Sequence, residues 1–344
     1  MVDLSTKYMG LTLKSPVIVG CSSLTNSIEN IKEYAKNGAG AVVIKSIFEE
    51  QINLETNRLL ETNDESLKTW TDAFNNMVSS KPYLDDEAYQ YISAHAHQKT
   101  LQNYLDIIKE AKQSVGIPII ASINCVSQYD WHFFAKRIQE AGADALELNI
   151  YVLPSDFSHT AEENDAIYYN IIEEIKKYIT IPFALKLGYY FSGMANSLQK
   201  LSKTGVSALV LFNRPYNPDI DINKLTITDN NLFSNMHEYS HVLRWMAILS
   251  GKLNCDLSAT TGIHNWEVAV KLLLAGADSL QVVSAIYQKG PHVIKDINEG
   301  INKWMGEHNF NSINDFKGKL SMANINNPAD YERVQFMKLY SKIE

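Results

Sequence analysis

The sequence predicts an α/β chain folded as a (β/α)8 TIM barrel with an insertion between strands two and three. Two observations carry that prediction. The first is a glycine-centred phrase that occurs four times: Asn37-Gly-Ala-Gly-Ala-Val-Val-Ile-Lys45, Ala141-Gly-Ala-Asp-Ala-Leu-Glu-Leu-Asn149, Thr204-Gly-Val-Ser-Ala-Leu-Val-Leu-Phe-Asn213 and Ala275-Gly-Ala-Asp-Ser-Leu-Gln-Val-Val283. In each copy a glycine ends a helical stretch, where a left-handed residue is needed without a Cβ clash. The apolar run that follows reads as a strand buried on both faces, as parallel sheets require. The second observation is a set of interleaved apolar runs, Pro16–Gly20, Pro118–Ile123, Pro182–Lys186 and Asp256–Thr260. Three begin with proline, which a first strand position tolerates. Together the two sets make eight strands alternating with helices, which suits a closed barrel better than the alternative, an open doubly wound sheet.

In chain order, Lys7–Lys14 alternates around Gly10 and predicts a hairpin closing the barrel floor. Strand one follows at Pro16–Gly20 and strand two ends at Lys45. Residues 48–111 are polar, rich in Asn, Tyr and His, and too long for one connection. They predict an inserted lid. Helical patterns occupy Trp131–Ala141, Asp165–Tyr178 and Trp266–Ala275 between later strands. A last helix, Val293–Met305, carries Val293, Ile297, Ile301 and Trp304 on one face. The chain is read as one domain over 1–344, with 306–344 as a C-terminal extension.

Composition excludes several classes. Lys plus Arg number 31 against 39 Asp plus Glu, a net charge of −8, which argues against a nucleic-acid binder. No run is apolar enough for a membrane span, and the first residues lack the basic-then-apolar order of a secretory signal. Cys21, Cys125 and Cys255 are too few and too scattered for a disulfide framework or a metal site. The expectation is a cytoplasmic protein without a metal.

Barrel chemistry sits at the C-terminal ends of the strands. Those ends carry Cys21, Ser22 and Ser23, then Lys45 and Ser46, Asn124 and Cys125, Asn149, Lys186, Asn213, Thr260-Thr261-Gly262, and Ser284. A lysine ammonium inside a barrel is costly unless it meets an anion. Lysines beside carboxamides therefore suggest donors ringed around an anionic or carbonyl-rich ligand. Small residues after strands seven and eight suit a phosphate, because backbone N–H groups can approach its oxygens.

These motifs, with Ser15-Pro-Val-Ile-Val-Gly-Cys-Ser-Ser23, Gln281-Val-Val-Ser-Ala285 and Ser312-Ile-Asn-Asp-Phe-Lys-Gly-Lys-Leu320, resemble the dihydroorotate dehydrogenase family, in particular its soluble class 1 branch. The resemblance spans nearly the whole chain, apart from Phe48–Ser93 and the last twenty or so residues. It implies an FMN-dependent oxidoreductase passing hydride between flavin N5 and a small CH–CH donor, dihydroorotate in the family reaction. It further implies that Gly20, Cys21, Ser22, Lys45, Ser46 and Asn149 surround the flavin and that Lys186 contacts its ring. The phosphate would rest on Thr260, Thr261, Gly262, Val283 and Ser284, and Asn213 would bond the substrate. A homodimer and a soluble electron acceptor such as fumarate are implied by the same analogy.

Two departures separate the chain from that family. The family's loop after strand four reads Asn-x-Ser-Cys-Pro-Asn, with the catalytic base at Cys or Ser. Here it reads Asn149-Ile-Tyr-Val-Leu-Pro-Ser-Asp156, and the base position falls on Val152 or Leu153. Neither takes a proton. The family's orotate-recognising asparagine run also has no counterpart in Lys81–Leu105. Tyr151, Ser155, Asp156, His159 and Cys125 are the replacement bases the sequence offers, Tyr151 foremost. The His95/His97 pair reads as lid surface. Two alternatives stay open: a barrel lyase using Lys45 or Lys186 as a Schiff-base nucleophile, and a flavin-binding barrel with another substrate or no turnover.

Overall fold

The structure, a computed structural model, describes residues 2–48, 100–124, 131–215, 217–229 and 232–332. The chain opens with a hairpin, β1 (Thr6–Tyr8) against β2 (Leu11–Leu13). Met9 and Gly10 form its two-residue turn, both at positive φ (+52° and +76°), which matches the twist of paired strands. Eight parallel strands then close on themselves. They are β3 (Val17–Val19), β4 (Ala41–Val43), β6 (Ile119–Asn124), β7 (Ala145–Ile150), β8 (Phe183–Leu187), β9 (Ala208–Leu211), β12 (Asp256–Thr260) and β13 (Ser279–Val282). Each pairs with the next, and β13 pairs with β3 to seal the ring. The short β5 (Ile47–Phe48) extends the second strand along β6.

All four glycines of the repeated phrase, Gly38, Gly142, Gly205 and Gly276, adopt left-handed φ between +89° and +112°. The helices they end or precede wrap the outside: α1 (Ile28–Lys36), α2 (100–114), α3 (Trp131–Glu140), α4 (Ala161–Ile175), α5 (Met194–Ser202), α6 (Tyr239–Leu249) and α7 (Trp266–Ala275), with α8 (Ser284–Lys289) and α9 (His292–Glu307) closing the circuit. Helix α4 starts earlier than its periodicity suggests, because Thr160 and Glu163 form a reciprocal capping box.

Inside, the barrel is layered. Tyr8, Met9 and Leu13 of the hairpin pack up into Ile18, Ala41, Val43, Ile120, Ala145, Ala184, Ala208 and Val210. Alanines on three adjacent strands leave room for those floor side chains. Above this apolar plug the interior turns polar, with Ser122, Glu147, Lys186, Ser258, Ser279 and Gln281 all buried. Period-two alternation explains the placement: Ala145, Glu147 and Asn149 share one strand face, as do Ala184 and Lys186.

The last part of the expected 48–111 insertion is a helix packed on the barrel core. Residues 100–114 form α2, and Leu101, Tyr104, Leu105, Ile108 and Ala111 are core residues at helical spacing. His95 and His97 lie outside the described residues, as do 49–99 altogether. An unanticipated hairpin, β10 (Pro218–Asp221) with β11 (Thr226–Asp229), follows the sixth barrel strand. The C-terminal stretch is packed on the barrel: Ile313 and Phe316 are fully buried, and Leu320 N–H bonds Leu274 O.

Candidate active site

The strand ends meet around a cavity of about 180 Å³ lined by Cys21, Lys186, Asn213, Thr260, Thr261, Gly262, Gln281, Val283 and Ser284, among others. Along one side, Thr261 and Gly262 are successive left-handed residues, at φ +82° and +77°. For threonine that is a strained conformation, held because its Oγ1 donates to Phe212 O at 3.1 Å. Gly262 is obligatory in shape as well, since a Cβ there would lie 2.4 Å from Tyr239 N. Its N–H donates to Ser234 Oγ at 3.3 Å, and Ser234 N–H donates to Ser284 Oγ at 3.0 Å. Ser234 also sits 3.2 Å from His264 Nε2. Burial and the Lys289 ammonium hold that imidazole below its ordinary value, so it is neutral at pH 7. Neither Ser234 nor His264 was singled out by the sequence, because Ser234 belongs to no strand end.

Two strands away in the ring, Lys186 is buried, with its Nζ 3.6 Å from Glu147 Oε1 and 3.4 Å from Gln281 Oε1. Gln281 Nε2 donates to Glu147 Oε2 at 2.6 Å. Asn213 Nδ2 donates to Asn149 Oδ1 at 2.9 Å, so the two predicted carboxamides face each other. Gly20 allows strands one and eight to converge: a Cβ would meet Val283 Cγ2 at 2.7 Å. Cys21 and Ser46 are linked, Ser46 N–H donating to Cys21 Sγ at 3.0 Å and Ser46 Oγ lying 2.7 Å from Ser122 Oγ. The Ser22 hydroxyl is buried without a hydrogen-bond partner among the described residues. Lys45 is half-buried at the end of the second strand and has no ion pair among the described residues.

The loop after strand four separates the replacement bases. Val152 is half-buried against the core, and Leu153 is 53% exposed. Ser155, Asp156 and His159 are exposed, with Asp156 bonded to Ser158. Cys125 lies outside the described residues. Tyr151 alone turns toward the strand ends, its ring packed over the backbone of Gly188, two residues beyond Lys186. It meets Tyr190 edge-on at 6.0 Å, and Tyr190 stacks on Tyr189 at 4.8 Å. Burial and these neighbouring phenols raise Tyr151 well above the ordinary tyrosine range. Its hydroxyl stays protonated near neutral pH, which makes it a proton donor and a poor base.

A second cavity of about 280 Å³ adjoins the first through Phe212, Asn213, Arg214 and Thr261. Tyr189, Phe212 and His241 give it aromatic walls, with ring centroids 5.1 to 6.0 Å apart. The Arg214 guanidinium is held at its edge by both oxygens of Glu238, at 2.9 and 3.4 Å.

A family model described as "Dihydroorotate dehydrogenase" matches residues 3–305. The chain belongs to the dihydroorotate dehydrogenase family. It is an oxidoreductase of that family, and its relatives are named for CH–CH dehydrogenation. The "Dihydroorotate dehydrogenase B (NAD(+)), catalytic subunit" of Thermoplasma acidophilum is 26% identical over 92% of this chain and 99% of the relative. A "Putative dihydroorotate dehydrogenase A (fumarate)" of Aeropyrum pernix is 28% identical over 62% of this chain and 70% of its own length. The "NAD-dependent dihydropyrimidine dehydrogenase subunit PreA" of Escherichia coli K12 is 24% identical over 96% and 80%. Similarity is thus shared between enzymes named for two different reduced pyrimidines. Among the described residues, no helix is long and apolar enough to cross a membrane.

Proposed function

We propose that this family member binds FMN at the mouth of its barrel and passes hydride between the flavin and a small planar substrate other than dihydroorotate. The observation that carries the reading is one cavity lined by both Lys186 and the Thr261–Gly262 turn. That donor set fits FMN: a cation for the electron-rich edge of the ring, and the Ser234 and Ser284 hydroxyls beside a turn of small residues for a single phosphate. No Gly-x-Gly-x-x-Gly turn accompanies it, which favours a mononucleotide over a dinucleotide. Bound FMN would supply a hydride acceptor and donor at N5.

The protein's own groups do the rest. Lys186 stabilises negative charge at the ring edge. Asn213, bonded to Asn149, presents its carboxamide to both cavities, and Lys45 stands at the end of the second strand. The aromatic walls of the adjoining cavity favour a flat, conjugated substrate. Tyr151, kept as a phenol by its surroundings, donates a proton when a polarised C=C bond is reduced. With Val152 at the family's base position, proton abstraction from dihydroorotate lacks its acceptor.

Lys186 is tied to Glu147 and Gln281, an arrangement suited to a fixed cation rather than a free amine nucleophile, and this disfavours the Schiff-base lyase. The relatives named as catalytic or PreA subunits favour electron exchange with a second protein or soluble acceptor. A homodimer belongs to the same reading by analogy. The test is to release the cofactor by heat and identify it by mass. FMN at one per chain supports the proposal, while FAD, or no flavin after reconstitution, contradicts it.

A further inference from the structure

We propose that Glu147, which no motif singled out, is a positioning residue that holds Lys186 and offsets its charge, keeping the flavin's reduction potential low. The inference deepens the FMN reading and rests on it. Glu147 is 1% exposed, on the interior face of β7 one inward step nearer the floor than Asn149. Asn149 is the direct cross-strand partner of Lys186, so Glu147 approaches the lysine diagonally from below. Its two oxygens are unequal. Oε2 accepts from Gln281 Nε2 at 2.6 Å, whereas Oε1 has no hydrogen-bond partner among the described residues and lies 3.6 Å from Lys186 Nζ. Gln281 completes the triangle by accepting from Nζ at 3.4 Å.

A carboxylate this deep is tolerated only with a counter-cation, and among the described residues Lys186 is its one ion-pair partner. Glu147 does not line the cavity, while Lys186 and Gln281 do. A ligand in the cavity therefore meets a lysine whose positive charge is balanced from behind. An unbalanced lysine would favour the reduced, anionic ring more strongly. The carboxylate thus tunes how strongly Lys186 pulls electrons onto the cofactor, and Gln281 fixes the direction in which the ammonium points.

The experiment is spectroelectrochemical titration of the FMN-loaded wild type, Glu147→Gln and Glu147→Asp. Glutamine keeps the shape and loses the charge; aspartate keeps the charge and loses a methylene. Charge balance predicts that Glu147→Gln favours reduced over oxidised flavin at least tenfold, an upward shift of about 30 mV for a two-electron couple. Glu147→Asp should stay nearer the wild type. A purely packing role predicts the reverse order, and that order, or an unshifted Glu147→Gln, overturns the inference. If Glu147→Gln does not fold, Gln281→Leu serves. It leaves the Glu147 charge in place with Lys186 as its partner, so the potential should fall. A potential at or above the wild type there is equally fatal. Wild-type protein that takes up no FMN removes both this inference and the cofactor reading, whereas FMN-loaded variants with wild-type potentials remove this inference alone.

Discussion

At the scale of single residues, the proposed function separates groups that stabilise charge from groups that move protons. Lys186 belongs to the first kind. Replacing it by alanine removes the cation facing the cavity and leaves Glu147 buried without its counter-charge. Lys186→Ala should therefore weaken binding of reduced FMN by roughly tenfold or more and lower the midpoint potential, read by the same titration. A variant that holds flavin at an unchanged potential would make Lys186 purely structural. Tyr151 belongs to the second kind. Tyr151→Phe should slow reduction of an activated alkene by about 10²-fold or more, in the range of lost general-acid catalysis. Because burial and Tyr190 raise the phenol, the wild-type rate should stay flat from neutral into mildly alkaline pH. A rate that falls through neutrality would assign the proton to another group. Neither Glu147 nor Gln281 was legible as a site residue, since each lies one inward step short of the strand end where barrel chemistry is expected. The signal was there in the alternation Ala145-x-Glu147-x-Asn149, which puts the glutamate on the same face as an expected ligand.

Among elements, the floor hairpin shows how the barrel is closed and how it responds to pH. Asp256, at the start of β12, accepts from Met9 N–H at 2.6 Å and so pins the β1–β2 turn. Burial, with the nearby Asp278 carboxylate, raises Asp256 above its ordinary value despite that hydrogen bond. A raised carboxyl binds its proton more tightly folded than unfolded. Its favourable contribution is thus complete below the unfolded value of about 3.9 and is lost as pH climbs through the folded one. Asp256→Asn keeps an acceptor for Met9 without the charge. Its unfolding temperature should gain on the wild type between pH 3 and pH 7, and a pH-independent difference would contradict this. Strands and helices with glycine stops were legible because each stop needs one backbone conformation. Helix α2 was not, because its core residues Leu101, Tyr104, Leu105 and Ile108 adjoin a long polar stretch that masks their periodicity. The β10–β11 hairpin escaped too: its Ile220, Ile222 and Ile227 are exposed, so their alternation reports no core face.

For the whole molecule, fold and family agree while the catalytic loop departs from the family's pattern. Similarity extends over 92% of the chain to a dihydroorotate dehydrogenase and 96% to a dihydropyrimidine dehydrogenase subunit. Overall similarity therefore does not select the substrate. In the proposed reading the selection rests on the rim, where Val152 stands at the expected base position and Tyr151 lies over Gly188. Oxidising dihydroorotate needs a proton acceptor opposite the flavin, and losing one costs roughly 10²–10⁴ in rate. Val152→Cys alone should restore little, because the orotate-binding asparagines are missing as well. Anaerobic stopped-flow mixing of the FMN-loaded protein with dihydroorotate is the most direct measurement of a flavin barrel with a rewritten substrate half. The flavin absorbance should persist or bleach only slowly; rapid bleaching would contradict the account and send the search for the base back to the loop that carries Tyr151 and His159.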